Sequence, residues 1–174
     1  LNQKSLNKHS SNPNSSHLID MTDFNIEPIQ ELSIKEIAPI IEASEQEGFK
    51  FLTRLKNDWI SGKNRFDKTN ERLYQIKQET QIIAIGGINN NPYKEDGKIG
   101  RIRHVYVLPE YKRKGIGRQL ILHLLDTFAD KYEKITLRTD TEAAATFYES
   151  IGFKNVQSKN HTHEYSNTRI SFVE

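Results

Sequence analysis

At 174 residues the chain is long enough to bury one sizeable core, and its 35% apolar and 28% charged residues suit a water-soluble globular protein. A formal charge of +2 gives no bulk electrostatic reason to expect a nucleic-acid or membrane partner. With no cysteine, disulfides, thiolate metal sites and a cysteine nucleophile are excluded, and a cytoplasmic setting is expected. No apolar run approaches the roughly 18 residues of a membrane span.

Residues 1–22 are rich in Asn, Ser and Lys, offer little to bury and are expected to form a disordered tail. Met21, the only methionine, stands where structured sequence begins and is expected to be the natural start, with an upstream extension before it. Residues 23–174 are expected to form a single domain. After a short apolar segment around Phe24–Ile29, Ser33 is placed to cap a helix carrying Ile34, Ile37, Ile40 and Ile41, and Pro39 is expected to break or kink it. Phe51, Leu52, Leu55 and Trp59 repeat the helical signal up to Ser61-Gly62.

From Leu73 the period changes. LYQIK, QIIAIGGI and IGRIRHVYVL are β-rich runs separated by Gln78–Thr80 and Asn89–Gly97, and they predict three successive antiparallel strands. A helix is predicted at about Gly117–Asp130, a strand at 135–139, a helix at about Glu142–Ser150, and closing strands at VQSK and RISFVE. This order predicts an α/β fold on a mixed sheet without internal repeats.

The stretch Tyr111–Arg118, YKRKGIGR, sets four cations and two glycines before an apolar helical stripe of Ile116, Leu120, Ile121, Leu124, Leu125 and Phe128. A helix N-terminus favours an anion, and a residue without Cβ lets backbone approach a diphosphate. A glycine turn with a solvated basic face would leave the same pattern. Two familiar phosphate loops fail on spacing: the dinucleotide fingerprint needs glycine where Leu120 stands, and GxxxxGK[S/T] does not occur.

The strand RIRHVYVLPEY running into KRKGIGRQL, followed some thirty residues later by FYESIGF, resembles the GNAT acyltransferase superfamily. The family signature Gln/Arg-x-x-Gly-x-Gly/Ala falls on Lys112-Arg113-Lys114-Gly115-Ile116-Gly117, with Lys in the first place. That resemblance implies a mostly antiparallel mixed sheet flanked by helices, with a splayed, bulged strand before the coenzyme-binding helix. It implies acetyl-CoA as co-substrate, held by Lys112, Arg113, Lys114, Gly115, Ile116, Gly117 and Arg118, and by the backbone of Val105, Tyr106 and Val107 as the strand runs on to Leu108. Thr141 stands where an Asn commonly contacts the pantetheine arm, and Asp140 or Thr141 is also placed to cap the following helix.

Acyl transfer from a thioester needs an anchored coenzyme, a deprotonated amine, a stabilised oxyanion and a protonated leaving thiolate. Tyr148 is the candidate general acid, since a phenol of ordinary pKa about 10 can return a proton to a thiolate of about 8.5. Its spacing from Ala144 also fits simple packing. His104 is a candidate general base by position; a half-buried strand histidine, or a water chain in its stead, fits as well. His161, His163 and Glu164 read as a polar strand edge, and no metal is expected.

The implied activity is acetyl transfer to a primary amine, on a small molecule or a peptide, by direct attack in a ternary complex, with a homodimer allowed. A noncatalytic acyl-CoA sensor on the same fold and a nucleic-acid-binding module are the alternatives. The acceptor site is expected between the N-terminal helices, the Asn89–Gly97 loop and the last strands, with Trp59, Arg65, Phe66, Tyr93 and Asp96 as lining candidates. Arg101, Arg103 and Arg138 either read an acidic acceptor or occupy the solvent face.

Overall fold

The computed structural model describes residues 24–167. The expected tail at 1–22, Met21 and the closing strand RISFVE lie outside the described residues. The elements are β1 (Ile26–Pro28), α1 (Ile34–Gln46), α2 (Phe51–Ser61), β2 (Arg72–Gln78), β3 (Gln81–Asn90), β4 (Ile99–Val107), a 3-10 turn (Pro109–Tyr111), α3 (Ile116–Phe128), β5 (Lys134–Leu137), α4 (Glu142–Ile151), β6 (Lys154–Asn155) and β7 (His163–Ser166).

The strands form one sheet in the order β1-β2-β3-β4-β5-β7-β6, antiparallel except for β4 and β5. That parallel pair requires a crossover, which α3 supplies. β3 lies second in from β1 and is buried from Ile82 to Asn89, which explains its near-continuous apolar sequence. The segment at Phe24–Ile29 supplies an edge strand, a place where Pro28 withdraws no needed donor from the sheet.

Ser33 caps α1, its hydroxyl accepting from the Glu36 amide at 3.3 Å. Contrary to the expected break, α1 runs as one helix through Pro39. Pro39 and Lys35, whose carbonyl loses its partner, are both exposed, so water can satisfy the missing bond. VQSK is not a strand. Pairing falls instead on Lys154–Asn155 and His163–Ser166, joined by a turn in which the Val156 and Gln157 amides donate to the Thr162 carbonyl.

Helices cover the two faces of β4 differently. A Cβ on Gly86 would meet Leu120 of α3 and Val105 at 3.1 Å, whereas one on Gly87 would meet Phe66 at 2.8 Å and the Arg72 carbonyl at 2.7 Å. Gly86 therefore looks towards α3, and Gly87 towards the Phe66 and α2 side.

Candidate active site

β4 is built around an irregularity. Gly87 faces Arg103 and Ile85 faces Tyr106, so Gly86 alone opposes both His104 and Val105. That extra residue is a β-bulge, and His104 sits in it with φ +59°, a left-handed position uncommon for a non-glycine residue. The bulge reverses the side-chain alternation. Val105 and Val107 turn to α3, as their contacts with Gly86 and Gly117 require. Arg103, the register partner of Gly87, lies on the opposite face, where His104 meets Phe66 at 6.0 Å and Phe51 at 6.5 Å.

On its other edge β4 pairs with β5 only through Ile99–Arg101 against Lys134–Thr136. Beyond Arg101 the two strands part, leaving an open edge. The Leu108 amide donates to the Ile83 carbonyl at 2.9 Å, on the β3 side. Strand N–H groups alternate between edges, so those of Val107 and Val105 face the opening.

The chain leaving this edge forms a loop suited to anions. Arg113 has φ +61° and Gly115 φ +79°, so left-handed residues alternate with Lys114 and turn successive N–H groups into a concavity. Gly115 is the N-cap of α3 and no side chain caps the helix, which leaves its first N–H groups without side-chain partners. Ile116 is buried beneath them at 1% exposure. Gly117 has ordinary φ. Its Cβ would lie 3.4 Å from Val107 and 3.5 Å from Phe147 of α4, so it keeps open the floor between β4, α3 and α4.

The cations of the loop are not equivalent. Lys112 reaches back to the end of α1, with Nζ 2.6 and 2.9 Å from the Glu47 carboxylate and 5.4 Å above the Tyr106 ring. The Tyr106 hydroxyl donates to Glu47 Oε1 at 2.6 Å. Desolvation works to raise the Glu47 pKa, but Lys112 and Tyr106 outweigh it and hold the carboxyl below its usual range. Burial, then the Glu47 carboxylate, pushes the Tyr106 phenol up. Tyr106 thus has a structural side chain as well as a backbone on β4. Lys114 stacks over Tyr111 at 5.5 Å, while Arg113 and Arg118 are exposed. Glu47 escaped the sequence reading because nothing local marks it; its partner stands 65 residues away.

Tyr148 lies on α4 with 8% exposure, in edge contact with Phe147 at 5.0 Å and Phe153 at 5.6 Å. Burial raises its pKa, so the phenol stays protonated throughout the physiological range. Its hydroxyl is not among the sealed-off polar atoms. His104 and Tyr148 share no hydrogen bond or ring contact.

Both ring nitrogens of His104 are buried without a hydrogen-bond partner. Desolvation first, then the Arg103 charge and, less strongly, that of Arg54, lower its pKa to about 3, against an opposing contribution from the Phe51 backbone that exceeds the effect of Arg54. The imidazole is therefore neutral near pH 7. Thr141 caps α4, its hydroxyl accepting from the Ala144 amide at 3.2 Å. It also borders a cleft of about 350 Å³ with Arg138, Gln157 and His163.

Among the expected acceptor-lining residues, Trp59 and Phe66 belong to the core at 7% and 1% exposure. Arg65 donates to the Trp59 carbonyl, and Asp96 accepts from the Lys98 amide. Tyr93 is exposed beneath the Arg101 guanidinium. His161 bonds Glu164 at 2.7 Å and His163 bonds Glu149 at 3.2 Å; among the described residues no group of three such side chains could hold a metal. No helix of the described residues is long and apolar enough to cross a membrane.

The family model described as Acetyltransferase (GNAT) domain matches residues 69–155, from the segment entering β2 to the end of β6. A crystal structure from Exiguobacterium sp. 255-15, solved as a candidate acetyltransferase, superposes with a TM-score of 0.74 at 30% identity, covering 83% of this chain and 93% of that one. The chain belongs to the GNAT acetyltransferase superfamily. A GNAT fold also relates it to the ribosomal-protein-S18-alanine N-acetyltransferase of Escherichia coli, at TM-score 0.57 and 17% identity over 81% of this chain and 88% of that one, a likeness of fold alone. The curated N-alpha-acetyltransferase RimI of Mycobacterium tuberculosis is 38% identical over 55 residues, 32% of this chain and 35% of its own length. The chain thus matches about a third of that relative. Acetyl transfer from acetyl-CoA is the general activity of that superfamily.

Proposed function

We propose that this GNAT domain transfers an acetyl group from acetyl-CoA to a primary amine, by direct attack while both substrates are bound. The observation that carries the reading is the continuity of an open β4 edge with an uncapped α3 N-terminus across the Arg113–Gly117 loop. The N–H groups of Val105 and Val107 on that edge and, beyond the Pro109–Tyr111 turn, those of the Arg113–Gly117 loop then lead from thioester to diphosphate. Arg113, Lys114, Gly115, Ile116, Gly117 and Arg118 hold the diphosphate, chiefly through backbone, while Lys112, whose amide donates to the Pro109 carbonyl, braces the loop through the contact of its charge with Glu47. Val105 and Val107 offer N–H groups to the pantetheine arm and the thioester carbonyl.

Acetyl-CoA supplies an activated acyl carbon and a thiolate leaving group. Tyr148, kept protonated by burial, delivers the proton that the departing sulfur needs. His104 is a poor match for the base, because a ring of pKa about 3 takes no appreciable proton from an ammonium of ordinary pKa about 10. The proton therefore leaves through water, and His104 serves the site as a neutral ring.

The direct test is thiol release from acetyl-CoA across an amine panel. Turnover with at least one amine is expected, with Tyr148→Phe slowed by roughly a hundredfold under saturating acceptor. Full turnover of Tyr148→Phe would remove its acid role. Tight acetyl-CoA binding without turnover on any amine would replace the enzyme reading by that of a sensor. For His104, an unchanged pH–rate inflection in His104→Asn is expected; a displaced inflection would restore the ring as base.

A further inference from the structure

The face of β4 turned away from α3 gathers positive charge that the transfer chemistry leaves unused. Arg101 and Arg103 project from β4 on this face, and Arg54 approaches Arg103 and His104 from α2. Arg138, just past the end of β5 and two residues beyond the partner of Arg101, adds a further charge within range of Arg101. Three of these have distinct situations. The Arg101 guanidinium donates to the Asn160 carbonyl at 2.8 Å and lies over Tyr93. Arg138 is engaged with Asp140 at 3.6 Å and with the Lys159 carbonyl. Arg103 is half-buried and, among the described residues, has no hydrogen bond and no ion pair.

Two carboxylates could have neutralised it. Asp58 and Glu71 attract Arg103 but stay beyond ion-pair distance, and Glu71 is spent on the Asn90 amide at 3.0 Å. Desolvation, with Arg54 adding repulsion, holds the Arg103 guanidinium below the usual arginine range. A partly dehydrated cation without a partner is costly, and a bound anion relieves that cost. Beside it His104 is buried with both nitrogens unpartnered, one a donor and one an acceptor in the neutral ring. Arg54 also borders a hollow of about 580 Å³ at the α1–α2 junction, together with Phe49, Lys50 and Thr53. The acid lining that hollow, Glu45, is occupied by the Thr53 hydroxyl.

On the reading of this domain as an amine acetyltransferase, we infer that its acceptor carries a carboxylate close to the reacting amine, bound by Arg103 with Arg54 beside it. The planar fork of Arg103 suits a two-oxygen anion, and the neighbouring bulge places it one residue from His104 and two from Val105, whose N–H faces the coenzyme cleft. A free amino acid and the acidic N-terminus of a peptide present the same chemistry. The deciding experiment separates them.

Each test amine is offered as a carboxylate and as its carboxamide: β-alanine against β-alaninamide, 4-aminobutyrate against its amide, and a short peptide with Glu or Gln as its second residue. Rates of thiol release under saturating acetyl-CoA are compared per unprotonated amine. In at least one pair the carboxylate is expected to have kcat/KM higher by roughly tenfold or more, chiefly through KM. The pair showing the preference identifies a free or a peptide acceptor. Arg103→Gln should erase the preference with acetyl-CoA affinity unchanged, and Arg103→Lys should restore part of it. Arg54→Gln, on an exposed position of α2, should weaken it without a folding penalty.

Equal or better turnover of the neutral member in every pair would overturn the inference alone, leaving the acetyltransferase in place. Preservation of the preference in both Arg103→Gln and Arg54→Gln would do the same. Thiol release with none of these amines, despite acetyl-CoA binding, would overturn the acetyltransferase reading together with it.

Discussion

His104 combines two costs at one residue: a left-handed backbone and a buried ring whose nitrogens make no well-formed hydrogen bond. In the unfolded chain it titrates near 6.5, and in the folded chain near 3. Between those values the unfolded state binds the extra proton, so stability contributed by neutral His104 is complete above about pH 6.5 and is lost as pH falls towards 3. Asn tolerates left-handed φ and does not titrate. His104→Asn should therefore flatten the decline of Tm between pH 6.5 and 4 relative to the parent chain, measured by thermal melts across that range; parallel curves for the two proteins would refute the account.

Gly117 poses the opposite case, a glycine whose φ any residue could adopt. Its Cβ would make ordinary contacts at 3.4 and 3.5 Å, and alanine in a helix is favoured over glycine by roughly 0.5–1 kcal/mol. Gly117→Ala should thus melt no lower than the parent while binding acetyl-CoA more weakly, and Gly117→Val should bind more weakly still. Both should lose more affinity than Lys114→Ala, whose ammonium rests on Tyr111. The reverse order in a calorimetric titration would mean that charge rather than close approach carries recognition.

Among elements, the end of α1 is tied to the exit of β4 by the Glu47, Tyr106 and Lys112 contacts. Lys112 and Glu47 side chains are 41% and 31% exposed, so solvent screens the pair and it contributes at most about 1 kcal/mol. Lys112→Met should lower Tm by roughly 2–4 °C and change acetyl-CoA affinity less than Arg113→Ala or Arg118→Ala does. A larger affinity loss in Lys112→Met would place its charge on the diphosphate after all. This bracing was illegible in the sequence, where Lys112 reads as one more cation in YKRKGIGR. The uncapped start of α3 was legible, because Gly115 and the apolar stripe from Ile116 to Phe128 mark it locally.

At the level of the whole molecule, periodicity located α1 to α4 and the three strands around β3, since each buries a regular stripe. It misplaced the strand expected at VQSK and missed β7, because β6 has two exposed residues and β7 carries His163, Glu164 and Ser166. The bulge was expected on β4, yet its residue and the resulting shared face of Arg103 and His104 depend on register, which no local pattern encodes. Acetyl-CoA at a hundred times its dissociation constant should stabilise the fold by about 2.7 kcal/mol, a Tm rise of roughly 5–10 °C, and an oligonucleotide should give none. An equal rise with the oligonucleotide would favour phosphate binding of another kind.

The short seam between β4 and β5 has a mechanical meaning. Three residue pairs, Ile99–Arg101 against Lys134–Thr136, are the ladder joining the β1 to β4 plate to the β5, β7 and β6 plate. Under tension applied across the sheet, load concentrates on that seam as it does at the tip of a crack. Pulled between β2 and β7, the domain should rupture there first, splitting the coenzyme cleft lengthwise before the longer β2–β3, β3–β4 and β5–β7 ladders yield. The notch that admits the pantetheine arm is thus also the line of least fracture resistance.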